Sequence, residues 1–426
     1  MTTGKSQTAV KTTSNSFVYP QYHQNCISNI PKLILQLLEI QTAEHSPLKN
    51  RIETESRHSK IVLLVIDGFG FSHLQKHQQQ NPFLSSLASK GSVSPITSVY
   101  PSQTTNALMT LNTGLTPQEH GVFEYYIYLK EVGVVNALRF ECIGTKQRKL
   151  SEKGFSPSLM FRGKNIHQTL KDKGVQTFTH IHTTNASGAC SKLIFEGSTI
   201  VPAQKTSDLI VNLRKNLERV DDGYFFVHLD SLDTISHEYG PKSDQFTAEL
   251  SAITYLLQKE LIEKIDNKVA KETLLLITAD HGAIDTNPND MIYLNRTQKP
   301  LTYWQHGKDR KCILPTGSPR DIFLHIKEEK LKKTKEALTQ QIGSKAQVIE
   351  TSKAAEAGLF GIGEASHEFF ERAGNLLILP YDKETIWFSN PEGRKITLFG
   401  QHGGLNSEEM LVPFAAVNLE HLRNKH

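Results

Sequence analysis

Long apolar runs are missing from this chain: none approaches the ~20 residues that a membrane-crossing helix needs. The polar, Ser/Thr-rich start over residues 1–16 also lacks the apolar core of a secretory leader and reads as a disordered tail. Cysteine is scarce. Cys26, Cys142, Cys190 and Cys312 stand far apart with no CxxC pair, which argues against a thiolate zinc site and a disulfide scaffold and places the chain in a reducing compartment, the cytoplasm. An excess of one charge is missing too, since +4 over 426 residues gives no general hold on a nucleic-acid polymer. Gly68-Phe69-Gly70 falls short of GxGxxG and no Walker lysine follows, which disfavours a Rossmann or P-loop nucleotide site.

What is present is a set of short, strongly apolar runs that end in acids. Ile61 to Ile66, Tyr224 to Leu229 and Thr273 to Thr278 are too short to span a membrane and suit strands covered on both faces. The first exits into Asp67-Gly68, the second into Asp230, Asp233 and His237, the third into Asp280-His281-Gly282. Helical patterns separate them, over 164–173 and from Ser243 to about Asp266, and alternation of this kind predicts a mostly parallel sheet with helices on both sides. In such sheets ligands collect at the carboxyl edge. Asp67 taken alone is either a site residue or a turn carboxylate.

A further stretch, Pro101-Ser102-Gln103-Thr104 through Thr113-Gly114, reads as a helix entrance, a buried face of Ala107, Leu108 and Leu111, and a glycine stop. Ser102 and Thr104 are then either helix caps or groups presented where free N–H donors favour an anion. Phe123, Tyr125 and Tyr126 are either packing or a stacking platform. Between His281 and the late, glycine-flanked His402 the texture changes to a Lys-rich mixture of short strands and helices, expected as a small α+β insertion. The expected division is a tail over 1–16, a helical extension and linker over 17–60, a catalytic core over 61–300 and 391–426, and the insertion over 301–390. Carboxylates converging at one sheet edge would repel strongly without cations between them. A mixed Asp/His set without cysteine suits zinc or another first-row divalent ion.

Taken together, the Asp67 strand end, the Thr104 helix with His120-Gly121, Asp233 to His237 with Gly240-Pro241, Asp280-His281-Gly282 and His402-Gly403-Gly404 resemble the alkaline phosphatase superfamily, and within it the type I phosphodiesterase/nucleotide pyrophosphatase family. The resemblance runs from Ile61 to about Phe414 and implies a three-layer α/β sandwich with a capping insertion. It also implies two divalent ions, zinc first, with manganese or iron as alternatives. Asp67, Asp280 and His281 would hold one, in contact with Thr104, and Asp233, His237 and His402 the other. Thr104 would be the nucleophile. The family spacing places a ligand four residues before the histidine, which selects Asp233 and leaves Asp230 as a residue that could orient it. Asn106, beside Ala107, is the candidate donor to a phosphate oxygen. His228 is expected to be buried structure, and His306 and His367 to be loop or surface residues. The implied activity is hydrolysis of small phosphate esters, nucleotides among them. The alternatives are a phosphonate hydrolase or phosphomonoesterase on the same fold, or a non-catalytic metal-binding protein. Sulfatase and phosphoglycerate mutase chemistry fit less well, because the nucleophile position is a threonine.

Overall fold

The structure, a computed structural model, describes residues 17–41, 45–52, 58–143, 149–186, 188–296, 303–308, 310–388 and 395–423. The tail expected over 1–16 and residues 53–57 of the expected linker lie outside the described residues. Among those described, no helix is long and apolar enough to cross a membrane.

A seven-stranded sheet forms the centre. Its strands are β1 (Lys60–Ile66), β2 (Ser92–Thr97), β3 (Thr177–His182), β4 (Thr199–Ala203), β5 (Gly223–Leu229), β6 (Thr273–Thr278) and β7 (Leu411–Asn418), in spatial order β2-β7-β6-β1-β5-β3-β4. β6, β1, β5, β3 and β4 pair in parallel. β7 runs antiparallel to both β6 and β2. All residues of β1, β5 and β6 are buried, and because successive side chains point to opposite faces, both faces of the sheet are covered. The expected α/β sandwich is therefore the fold found. The three acid-ending strands are neighbours at its centre, with Ile66 opposite Leu229 and Val65 opposite Thr278.

One element differs from expectation for a physical reason. The long helix begins at Asp244 but widens at Leu257–Ile262 into a π-helical turn, closed by the Glu263 N–H donating to the Gln258 carbonyl at 3.0 Å. Periodicity of 3.6 cannot keep Leu257, Leu261 and Ile262 inward together, and the wider turn buries all three. The extension that begins at Phe17 packs on the main domain. Ile30, Leu33 and Ile34 of the helix Ile30–Leu37 enter the main core, and the Val18 N–H donates to the Leu405 carbonyl at 2.8 Å.

The insertion is rooted where Ile292–Tyr293 pairs with Ile386–Trp387. Its four strands, Thr316–Ser318, Asp321–Leu324, Ala346–Glu350 and Leu376–Pro380, pair antiparallel throughout. Strand alternation splits its apolar residues. Ile322, Leu324, Leu376 and Ile378 build a separate small core, whereas Phe323, Leu377 and Leu379 join the main one. One face of the insertion is thus continuous with the main α/β domain.

Candidate metal centre and active site

The parallel strands bring their carboxyl ends to one edge, and the acids arrive with them. Asp67 follows β1, and Asp280 and His281 follow β6. Asp233 and His237 lie four residues apart on the helix Ser231–Tyr239 that follows β5, so they share one helix face. Gly68 takes φ +73°, and a Cβ there would sit 3.1 Å from Asp233 Cβ and Oδ1. Glycine therefore lets the chain turn away from β1 against the Asp233 helix. Gly282 answers a closer approach: its absent Cβ would lie 2.0 Å from the Glu408 carbonyl oxygen.

His281 Nε2 stands 3.5 Å from Asp67 Oδ1 and 3.3 Å from Asp280 Oδ2, and 3.0 Å from Thr104 Oγ1. His237 Nε2 is 3.1 Å from Asp233 Oδ2 and 3.2 Å from His402 Nε2. The His281 and His402 rings stack with centroids 3.6 Å apart. Two clusters have ligand atoms all within 4.8 Å of one another: Asp67, Asp280 and His281, and Asp233, His281 and His402. All seven residues expected as ligands, Thr104 included, thus converge.

Whether these residues fit cations can be read from their hydrogen bonds. The three Nδ1 atoms face main-chain carbonyls: His237 to Gly400 at 2.8 Å, His281 to Gly282 at 2.9 Å and His402 to Ser102 at 3.0 Å. A carbonyl only accepts, so each Nδ1 carries a proton and each Nε2 is the nitrogen that could coordinate a cation. Among the described residues, the Asp67 Oδ1, Asp233 Oδ1 and Asp280 Oδ2 oxygens are buried without a hydrogen-bond donor. Burial, then the Asp280 and Asp233 charges, push the Asp67 carboxyl well above the usual range. Burial and His281 together hold His402 well below the ordinary imidazole value. At His237 burial works downward, yet Asp233 and the Gly400 carbonyl carry the imidazole up to about 9. A proton there takes the place of a cation and must leave when one binds. Oxygen and imidazole donors without cysteine, several of them unpartnered, fit first-row divalent ions.

Thr104 is the first residue of the helix Thr104–Thr113, and no side chain caps that helix. Its hydroxyl is therefore not a cap. Ser102 is tied instead to the His402 turn, its Oγ donating to the Gly404 carbonyl at 2.9 Å and accepting from the Gly403 N–H at 3.1 Å. Asn106 is the expected donor to a phosphate oxygen. It is fully buried, its Nδ2 donates to the Pro101 carbonyl at 2.7 Å, and it does not line the cavity beside Thr104. Two residues into the helix its amide N–H satisfies the preceding turn, while its Oδ1 is buried without a hydrogen-bond partner among the described residues.

That cavity, of about 600 Å³, takes in residues not singled out from sequence, among them Gln103, Glu124, Asn185 and Trp387. Local sequence carries no signal for them, because each is ordinary until the fold places it. His228 is buried, as expected, but its Nε2 lies 3.2 Å from Asp67 Oδ2, so it borders the site. Asp230 lines the same cavity and accepts from Asn185 Nδ2 at 3.1 Å. Tyr125 and Tyr126 line the cavity edge-to-face, 4.8 Å apart, while Phe123 is core. His367 is 88% exposed.

Glu124 and the insertion's Asp321 are both fully buried, and each feels the other's charge. Burial pushes Glu124 up to about 7, and burial followed by Glu124 raises Asp321. A carboxyl raised in the folded state contributes stability that is complete below its unfolded value near 4.3 and is lost as pH climbs through about 7. Glu124→Gln is therefore expected to be more stable than the unaltered protein at pH 8 by about 1–3 kcal/mol, with the advantage fading toward pH 5. Denaturant melts across that range check it.

Comparison with known proteins follows this geometry. The sequence model described as type I phosphodiesterase / nucleotide pyrophosphatase matches residues 61–405. A venom phosphodiesterase of Macrovipera lebetinus is 22% identical over 272 residues, 62% of this chain and 30% of that protein. Ectonucleotide pyrophosphatase/phosphodiesterase family member 1 of Rattus norvegicus is 21% identical over 55% of this chain and 25% of its own length. GPI ethanolamine phosphate transferase 1 of Gibberella zeae is 33% identical over 90 residues, 21% of this chain and 9% of its own. The chain thus spans less than a third of each of these relatives. An inactive form of murine ectonucleotide pyrophosphatase/phosphodiesterase 5 in complex with AMP superposes with a TM-score of 0.61 at 17% identity, over 84% of this chain and 88% of that one. The chain belongs to the type I phosphodiesterase/nucleotide pyrophosphatase family.

Proposed function

We propose that this protein hydrolyses phosphodiester or pyrophosphate bonds with Thr104 as nucleophile and two divalent cations, zinc foremost. Asp67, Asp280 and His281 would hold one cation; Asp233, His237 and His402 would hold the other. The observation that carries the reading is the meeting of an uncapped helix-start hydroxyl, Thr104 Oγ1, with His281 Nε2 at 3.0 Å inside a set of buried, unpartnered carboxylate oxygens.

Bound divalent ions would neutralise these carboxylates, favour the ionised threonine hydroxyl and offset the charge that develops on phosphate oxygens. The chain's own groups do the rest. Thr104 Oγ1 attacks phosphorus in line; an Oγ–P bond forms as the bond to the departing oxygen breaks, leaving phospho- or nucleotidyl-threonine. The free N–H groups of the first turn of Thr104–Thr113 and the positive end of that helix face the phosphoryl oxygens. Water then cleaves the Oγ–P bond and returns the hydroxyl. Tyr125, Tyr126 and Trp387 give the ester's other arm an apolar wall. The murine neighbour was solved with AMP, and a nucleotide ester is the first substrate class to test.

Zinc-loaded protein is expected to cleave bis(p-nitrophenyl) phosphate or a p-nitrophenyl nucleotide ester, with activity lost on chelation and restored by zinc. Metal-replete protein that is inert toward diesters, monoesters and phosphonates alike would rule out the catalytic reading. A monoesterase or phosphonatase profile would move the activity within the fold.

A further inference from the structure

The two turns that carry His281 and His402 come from distant parts of the chain, and one buried ion pair touches both. Arg320, 1% exposed, sits between insertion strands Thr316–Ser318 and Asp321–Leu324. Its Nε and Nη2 donate to the Glu409 carboxylate at 3.1 and 2.8 Å. Nη2 also reaches the Asp382 carbonyl at 2.8 Å, and Nη1 the Glu384 carbonyl. Glu409, fully buried, faces the other way as well. Its Oε1 accepts from the Gly404 N–H at 2.9 Å, two residues past His402, and its main-chain carbonyl accepts from the Gly282 N–H at 2.8 Å, one residue past His281. A Cβ on Gly404 would stand 2.9 Å from both Arg320 Nη2 and Glu409 Oε2, so the backbone of the His402 turn runs directly against the pair.

Stability alone gives little reason for such a pair, since apolar groups of similar volume serve a core at least as well. What an apolar pair cannot do is accept the Gly404 N–H or bind the Asp382 and Glu384 carbonyls. We infer that Arg320 and Glu409 are positioning residues for the metal centre, fixing the His281 and His402 turns and making cation affinity depend on how the insertion is seated. The inference rests on the metal reading above. It also joins substrate to metal, because Gly317, Ser318 and Pro319, next to Arg320, form part of the cavity wall.

Arg320→Lys keeps the charge and loses the two-pronged contact, and Glu409→Gln keeps an acceptor for Gly404 while losing the charge. Each is expected to remain folded by circular dichroism yet bind zinc about 10–100-fold more weakly in competition with a chelator. Zinc affinity within threefold of the unaltered protein in both folded variants would overturn the inference. The unaltered full chain supplies a second measurement that needs no variant. Coupling is reciprocal, so zinc must slow amide exchange in the insertion around Arg320 and residues 382–384; exchange there that ignores zinc overturns the inference, including where the variants do not fold. If the unaltered protein takes up no zinc, the metal reading falls and this inference with it. Zinc uptake that the variants leave untouched removes the inference alone.

Discussion

Thr104→Ala is expected to lower kcat on a p-nitrophenyl diester by about 10⁴-fold or more while the protein still takes up zinc. The residue is well suited to a clean test. Among the described residues its hydroxyl neither caps the helix Thr104–Thr113 nor bonds a main-chain carbonyl, and it meets His281 Nε2. Removing it therefore takes away the proposed nucleophile and little that holds the fold. Thr104→Ser should keep the oxygen and a measurable rate. Chelator titration and steady-state kinetics on the same preparations separate the two effects, and full activity in Thr104→Ala would refute the nucleophile assignment.

Asp280→Asn should move the protein in opposite directions with and without metal. Asp280 Oδ1 already accepts from the Gly68 and His281 N–H groups at 3.1 and 2.9 Å, and an asparagine carbonyl can keep both bonds. The change falls on Oδ2, which is buried without a donor and close to the equally unpartnered Asp67 Oδ1. An amide N–H there supplies a donor and removes a like charge, so the metal-free protein gains about 1–3 kcal/mol. With zinc present the substitution removes a ligand charge, and affinity falls by about 100-fold or more. Paired melts in chelator and in zinc give the signature, because zinc binding stabilises the folded chain in proportion to the logarithm of its concentration over Kd. A variant less stable than the unaltered protein in chelator, or equally stabilised by zinc, would remove Asp280 from the metal set.

Much of this site was legible because it is local. The apolar runs ahead of Asp67, Asp233 and Asp280 are buried on both faces, and parallel strands deliver their ends to one edge whatever lies between them. The four-residue step from Asp233 to His237 likewise sets a shared helix face before any tertiary contact. The burial of Asn106 was not legible, because proximity in sequence to Thr104 does not say which way a helical side chain points. Glu124, Arg320 and Glu409 were invisible for the opposite reason: a single acid or arginine in a polar stretch is ordinarily solvated, and only packing turns it into a buried partner. The insertion was visible as a change of texture, but the alternation that sends Phe323 and Leu377 into the main core needs the strands' neighbours to be known.

Sequence by itself therefore determined the family, the strand-edge carboxylates and the histidines beside them, since each depends on a chain period or a spacing of a few residues. The tertiary structure alone decided which of these groups meet. Gly68 reaches Asp280 across 212 positions, and His402 reaches Ser102 across 300. Contacts of that span are set by sheet order and core packing, which no local pattern encodes. The same holds for the protonation states: desolvation raises Asp67 and Glu124 only once the surrounding side chains have excluded water.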